Sequence, residues 1–384
     1  MGFLSDLFST SNENRTRTDM EKKLFVLTDE RTGSTRGAKD SEKAILKEVF
    51  DIIEEVPETK KLLDEVAKQG YKFFFQKDTG NVEGCCYADD KVIMLNPTIC
   101  KNTAEIAINC VHEMTHAMQD KNLGAINKNK SSLNMADQLR LDRAKEAGAY
   151  VQESAFANEI LKTHPEAQKF VEKNPILMAY KNEMEKSGDK SKAAEQTFKE
   201  WYNLEEYRQP YDDLHVKHII FDLDHTSKKK PVLTESMSPE EMIQKCIYSE
   251  DHKKAISPEI IKSKEANGLT DKAADKLRTV QENVNKIWGV KDTSFEKMFT
   301  YDTGITHEEA AKQPKPKQAE EKPKESMMAT LKKTEQTQSK SSGGASLMGM
   351  LAGIAMDLAV DAAKAKVANT VKTEVLKAVK ANGR

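Results

Sequence analysis

Cysteine is scarce in this chain, and the few cysteines form no recognisable pattern. They are an odd number among 384 residues, and no two of them show the CxxC spacing. Neither a disulfide framework nor a cysteine-based zinc site is therefore predicted, and a reducing compartment fits best. The cysteines are Cys85, Cys86, Cys100, Cys110 and Cys246.

An excess of charge of one sign is also absent. Lysine and arginine total 60, aspartate and glutamate total 62, and the formal net charge is -2. Bulk positive charge that would attract nucleic acid is missing, so we expect no nucleic-acid partner. The first residues show neither a secretory signal nor, with Asp6 at the position that needs Ser or Thr, a myristoylation pattern. These features favour a cytoplasmic bacterial protein, although an exported effector would look the same.

The first half of the chain shows the periodicity of helices and short strands. Helical spacing begins near Ser41, and Pro57 separates a first helix from a second. Tyr71 to Gln76 is aromatic and short enough for a strand, and residues 85–87 and 92–95 flank a turn, which predicts a hairpin.

Two long helices follow the predicted hairpin. Asn102, with Glu105 three residues later, is typical of a helix start, and this helix is expected to run to about Asp120. A second is predicted from Met135 to Leu161, and more helices follow it. The sequence therefore predicts an α+β fold, mostly helical, with a small β-sheet next to the helix that starts at Asn102.

That helix contains the pattern HExxH, from His112 to His116. Residues four apart lie on the same face of a helix, so both imidazoles can reach one metal ion. Neutral histidine is a good ligand for Zn²⁺, and three protein ligands plus a water make the usual catalytic zinc site. Glu113 is then placed as the general base that accepts the proton of the water. The competing explanation is a chance match on a charged helix.

The third metal ligand is expected on the second long helix. Glu146 is the preferred candidate, because the neighbouring Gly148 and its flanking alanines would let this helix approach the first closely. Glu153, two turns later on the same face, is the alternative, and Asp142 is a weaker one. An ordinary solvent-facing carboxylate is the other explanation for Glu146.

With these motifs, the chain resembles the short zinc peptidases of the gluzincin kind, and particularly a bacterial metallopeptidase family known mainly as a domain of unknown function. The resemblance rests on Val92–Pro97, on His112 to His116 and on Glu146–Gln152, and it spans about residues 72–211. It implies a zincin-like core, a peptide or protein substrate, and a sheet edge at Val92–Leu95 along which the substrate pairs. It also suggests Tyr211 and His215 as donors that stabilise the oxyanion, for which helix or core packing is the alternative.

One further motif points elsewhere. Residues 218–226 read as an apolar run followed by DxDxT, as in the haloacid-dehalogenase superfamily. The later strands that such a fold needs are missing from the sequence, so phosphotransfer is not favoured.

The predicted domain organisation follows from these assignments. Residues 1–40 are polar and expected to be a disordered arm, and 41–230 form a metallopeptidase-like domain. A helical extension covers 231–307, and residues 308–344 form a low-complexity linker. Residues 345–384 form an amphipathic helix, whose apolar segment is too short to span a bilayer. Its segment 347–379 fits a membrane surface, a partner helix or another face of the same protein.

Two functions of different classes remain at the level of sequence. The first is a zinc-dependent peptide-bond hydrolase with His112, His116 and Glu146 as ligands and Glu113 as base. The second is a non-catalytic interaction or scaffold protein that keeps a peptidase-like core for binding.

Overall fold

Helices make up most of the described chain, beside one small mixed sheet, which confirms the predicted α+β class. The computed structural model describes residues 16–29, 34–76, 83–128, 132–225, 230–301 and 303–313. The strands are β1 Phe25–Asp29, β2 Ser34–Gly37, β3 Lys72–Gln76, β4 Gly84–Tyr87, β5 Val92–Leu95, β6 Gly268–Leu269 and β7 Phe299–Thr300. The helices are α1 Arg17–Lys22, α2 Asp40–Glu54, α3 Pro57–Lys68, α4 Thr103–Leu123, α5 Ala125–Lys128, α6 Met135–Ile160, α7 Gln168–Lys173, α8 Pro175–Ser187, α9 Lys190–Asn203, α10 Glu205–His225, α11 Pro239–Cys246, α12 Glu250–Ala255, α13 Glu259–Lys262, α14 Asp271–Trp288 and α15 His307–Lys312.

The larger sheet has five strands in the order β2-β1-β3-β5-β4. Strands β1, β3 and β5 run parallel, and the outer strands β2 and β4 pair antiparallel to their neighbours. The predicted hairpin is confirmed as β4 and β5, and its turn places Lys91 at a positive φ of 51°. A small parallel pair, β6 and β7, lies apart from this sheet.

The expectation that Val92–Leu95 is a sheet edge is wrong. This strand, β5, pairs with β3 on one side and β4 on the other, and all four of its residues are buried. Continuous burial is typical of an inner strand covered on both faces. The edge on this side is β4, whose residues are half-buried.

The prediction of a disordered arm over residues 1–40 is also wrong for the part that the structure describes. Residues 16–40 contain α1, β1 and β2, and β1 lies between two other strands. The apolar residues Met20, Leu24 and Val26 are at most 2% exposed in the main core. Arg36 also makes a bidentate contact with Glu42, at 2.7 Å to each carboxylate oxygen. A few well-placed apolar side chains and one ion pair thus order a segment of polar composition.

Helix α4 begins as its sequence predicts and ends at Leu123, three residues after the predicted Asp120. The Asn102 side chain accepts the N–H of Glu105 at 2.9 Å, and Gly124 follows the last turn at a φ of 45°. One face of α4 lies in the main hydrophobic core with α2, α3 and the sheet. The core residues of that face are Ile106, Ala107, Cys110, Val111, Met114, Ala117 and Met118.

The region predicted as a helical extension shares hydrophobic clusters with α6. Met242 and Cys246 of α11 belong to the cluster that contains Ala147 and Tyr150. Leu277 of α14 belongs to the cluster of Met135 and other residues at the start of α6. The close approach at Gly148 is made by α11, and not by α4 as the sequence suggested, because the Cys246 carbonyl lies against it.

Several other expectations fall at the margins of the structure. The backbone of residues 218–225 continues α10, so no strand precedes the DxDxT pattern, and its last residue lies outside the described residues. Most of the predicted linker and all of segment 347–379 also lie outside them. Among the helices that the structure describes, none is both long and apolar enough to cross a membrane.

Candidate metal centre

His112 and His116 project from one face of α4 toward the same point. Their ring centroids are 4.8 Å apart, and their Nε2 atoms are 3.1 Å apart. The spacing of four residues on a helix produces this convergence. The two imidazoles therefore offer two nitrogen ligands to a single ion.

Glu146 of α6 completes a group of three. Its carboxylate oxygens lie 3.6 Å from Nε2 of His112 and 3.5 Å from Nε2 of His116. The ligand atoms of the three residues lie within 4.8 Å of one another. The side chains of Glu146 and His116 keep 14% and 16% of their surface exposed, so solvent can reach the group.

The two alternative carboxylates have other positions. Glu153 Oε2 lies 2.8 Å from Nδ1 of His112, on the side of the ring away from Glu146. Asp142 lies 3.6 Å from the Lys145 ammonium and 3.5 Å from Nδ1 of His215. Of the three candidates, Glu146 is the one that the structure groups with both histidines.

Each histidine has a hydrogen-bond acceptor at Nδ1. A carboxylate oxygen can only accept, so Nδ1 of His112 donates to Glu153. Nδ1 of His116 lies 2.8 Å from Oε1 of Gln119. Metal-binding histidines usually donate their second nitrogen in this way, which leaves the lone pair of the first for the metal.

The group is buried enough to shift its pKa values. Burial lowers the pKa of His112, but its bonds to Glu146 and Glu153 outweigh this and raise that pKa well above the usual range. Burial raises the pKa of Glu146, yet the charges of His116 and His112 bring it well below its usual range. The site therefore favours positive charge between the rings and the carboxylate, which a proton or a metal ion can supply.

Glu113 lies between the metal group and the edge strand β4. Burial raises the pKa of Glu113; the charges of the two histidines oppose this, and the charges of Glu146 and Glu153 add to it. A Cβ atom on Gly84 of β4 would stand 2.8 Å from Cγ of Glu113 and 3.1 Å from its Oε1. Glycine at this position of the strand therefore makes room for the carboxylate.

Three ring side chains form a series of contacts that starts at His112. The Tyr150 ring meets His112 edge-on at 4.9 Å, and Tyr150 hydrogen-bonds the Tyr211 hydroxyl. Tyr211 stacks on His215 at 6.0 Å. Burial lowers the pKa of His215 to about 4, so this ring is neutral at pH 7. The structure thus brings Tyr211 close to the metal group and places His215 behind it.

Sequence reasoning missed Gln119 and Tyr150 and misjudged the place of Glu153. All three share a helix face with a metal-binding candidate, since Gln119 follows His116 by three residues and Tyr150 follows Glu146 by four. Helical spacing around the two motifs was the signal that could have found them.

A comparison with known families agrees with this site. Residues 32–245, more than half of the chain, match a family model described as "Putative metallopeptidase family (DUF6782)". The chain belongs to this metallopeptidase family, and the His112, His116 and Glu146 group lies within the matched region. No curated protein and no solved structure matches the chain.

Proposed function

We propose that this chain is a zinc-dependent peptide-bond hydrolase. One observation supports this most directly: the Nε2 atoms of His112 and His116 lie 3.1 Å apart, and each lies within 3.6 Å of the Glu146 carboxylate, so the three ligand atoms converge on one point. When both rings are neutral, two lone pairs and an anion at such distances repel one another unless a positive charge lies between them, and a bound metal ion would supply that charge. Membership of a metallopeptidase family supports the same conclusion.

The donor set favours zinc among the common metals. Two imidazole nitrogens and one carboxylate are a usual set for catalytic Zn²⁺, whereas Mg²⁺ and Ca²⁺ prefer oxygen ligands. The neutral tautomers held by Glu153 and Gln119 suit this role. When bound, zinc supplies a water of lowered pKa and polarises the peptide carbonyl.

Glu113 serves as the general base and later as the proton donor. Its raised pKa makes it a stronger base than an exposed carboxylate, so it can take a proton from water and return it to the leaving amine. Because it packs against Gly84 of the edge strand, the carboxylate is held close to the place where a substrate would pair.

The substrate is a peptide segment that adds to the edge of β4. In the sheet order β4 is the outermost strand, and an extended peptide can add as a further strand beside a sheet edge. Tyr211 is the donor proposed for the oxyanion, because it is only partly buried and lies next to Tyr150 at the metal group. His215 is neutral, with Nδ1 toward Asp142, so it supports the Tyr211 ring by stacking.

Metal analysis and one substitution test this function. The full chain, incubated with zinc and dialysed, is expected to hold about one ion per chain, and His116→Ala is expected to lose it. Glu113→Gln is expected to keep the zinc but to lose cleavage of an unstructured peptide library by a factor of about 10²–10⁴. Glu159→Gln, near the end of α6, is the matched control and is expected to keep the zinc content and the peptide cleavage of the wild type.

Two results would contradict the proposal. A wild-type chain that takes up no zinc favours the scaffold alternative, in which the peptidase-like core only binds. Full activity of Glu113→Gln would remove the base from the mechanism.

A further inference from the structure

We propose that Gln119 is a positioning residue, which fixes the ring of His116 so that Nε2 of this histidine faces the metal. The Gln119 side chain is in turn held by two backbone carbonyls, one from α6 and one from α11. This inference rests on the metal site proposed above. It concerns a residue that touches neither the substrate nor the metal, and it connects α11 to the metal centre.

The orientation of the Gln119 amide follows from its neighbours. Nε2 lies 2.8 Å from the carbonyl oxygen of Lys145 and 2.8 Å from that of Cys246. Each carbonyl can only accept, so the NH₂ group of the amide must face both of them. The opposite orientation would place an amide oxygen against two carbonyl oxygens. Oε1 is therefore the atom that faces His116.

The amide orientation fixes the tautomer of His116. Oε1 lies 2.8 Å from Nδ1 of the ring and can only accept, so Nδ1 carries the hydrogen. The lone pair is then on Nε2, the atom closest to His112 and Glu146. Since Gln119 is 1% exposed, water does not compete for these bonds.

One of the two carbonyls comes from a distant part of the chain. Cys246 is the last residue of α11 and lies 127 residues after Gln119. Its oxygen reaches the amide at Gly148, where a Cβ atom would stand 2.6 Å from it. Glycine at this position of α6 is thus required for α11 to reach the amide.

Two substitutions at Gln119 separate its functions. Gln119→Leu removes both the acceptor for His116 and the donors to the carbonyls. Gln119→Glu keeps an acceptor for His116 but loses the donors. If Gln119 positions His116, zinc affinity depends on the acceptor and falls only in Gln119→Leu. Thermal stability depends on the donors and falls in both variants.

The zinc dissociation constant of the metal-free full chain, measured by competition with a chromophoric chelator, tests this. Gln119→Leu is expected to bind zinc about 10- to 100-fold more weakly, and Gln119→Glu to stay within about threefold of the wild type. The matched control is Gln281→Leu. Gln281 is another buried glutamine, whose side chain donates to the Val290 carbonyl and accepts from the Asp292 N–H. Its replacement should leave zinc binding unchanged.

The outcomes distinguish this inference from the proposed function. A wild type that binds no zinc overturns the proposed function and the inference with it. A wild type that binds zinc while Gln119→Leu binds it equally well overturns the inference alone. So does a Gln119→Glu variant as weak as Gln119→Leu, because Gln119 would then act only through packing.

A spectrum of the wild type gives a test that needs no variant to fold. Long-range ¹H–¹⁵N correlations of the zinc-loaded chain are expected to show that His116 carries its hydrogen on Nδ1 and binds zinc through Nε2. Coordination through Nδ1 would overturn the inference.

Discussion

Two buried polar clusters lie on neighbouring turns of α6, and they differ in how completely their hydrogen bonds are satisfied. In the first, Arg143 donates to Asp212 and to the carbonyls of Ala266 and Gly268, each at 2.7 Å. Tyr301 bridges the cluster by donating to Asp212 at 2.6 Å and accepting from Arg143 at 2.9 Å. Every charge in this cluster has an opposite partner or an acceptor.

The second cluster, around Glu146, lacks this balance. Nδ1 of His112 and Nδ1 of His116 face Glu153 and Gln119, and both Nε2 atoms face the carboxylate of Glu146. The two clusters are therefore buried to a similar degree on the same helix but have different roles. The first cluster joins α6, α10 and the β6–β7 pair, whereas the second favours a positive charge between its rings and its carboxylate, which the proposed metal ion would supply.

Removal of the Arg143 guanidinium should have the largest effect and would test this contrast. Arg143→Met leaves the buried Asp212 carboxylate without its opposite charge and two carbonyls without their donor, and the free energy of unfolding should fall by about 3–5 kcal/mol. Arg140→Met removes a more exposed arginine of α6 and should cost about 1 kcal/mol or less. Urea unfolding in the presence of a chelator measures both. Equal losses would mean that the cluster at Arg143 is no more important to stability than a surface pair.

Gly84→Ala tests the second cluster, where the expected loss is in peptide cleavage. The added Cβ would displace Glu113, so peptide cleavage should fall by up to about 100-fold while zinc content is unchanged. Gly37→Ala on the other edge strand, β2, is the matched control, because its Cβ would meet nothing within 4 Å. Peptide cleavage, zinc content and unfolding are measured for both variants. Wild-type activity in Gly84→Ala would show that the glycine does not determine the place of the base.

The local parts of this structure could be predicted from the sequence. The α+β class, the hairpin and the start of α4 at Asn102 follow from short-range periodicity and capping, and the structure contains them. The grouping of His112 and His116 follows from helical geometry alone. Glu146 was preferred because of Gly148, although that glycine lies against α11, and its metal-binding role stays a prediction.

The parts that were missed depend on contacts between distant segments. The place of β5 inside the sheet depends on β4 pairing beside it, and the order of α1 depends on packing against the main core. The Cys246 carbonyl that holds Gln119 is a backbone atom, and no residue type marks it in the sequence. Long-range strand register and backbone contacts therefore could not be predicted from the sequence.

The smaller predicted effect on stability concerns Glu83, which precedes β4 and adds negative charge near the second cluster. Burial raises the pKa of Glu83 from 4.5 to about 7, and the charges of Glu153 and Glu105 add to this, while a hydrogen bond from Asn109 and the charge of His112 oppose it. The folded protein thus holds a proton between these pH values that the unfolded chain has lost. Glu83 therefore favours folding less as pH rises through this window.

Glu83→Gln should remove this pH dependence. Relative to the wild type, the variant should gain about 2–3 kcal/mol in free energy of unfolding between pH 5 and pH 8, measured in chelator. Glu159→Gln is the control with the opposite sign. Hydrogen bonds from Lys162 and Lys190 lower the pKa of Glu159, so its replacement should reduce stability above the usual carboxyl pKa. If the free energy of unfolding changes with pH in the same way in Glu83→Gln and in the wild type, the negative charge at the second cluster does not destabilise the fold. The contrast with the Arg143 cluster would then be one of geometry alone.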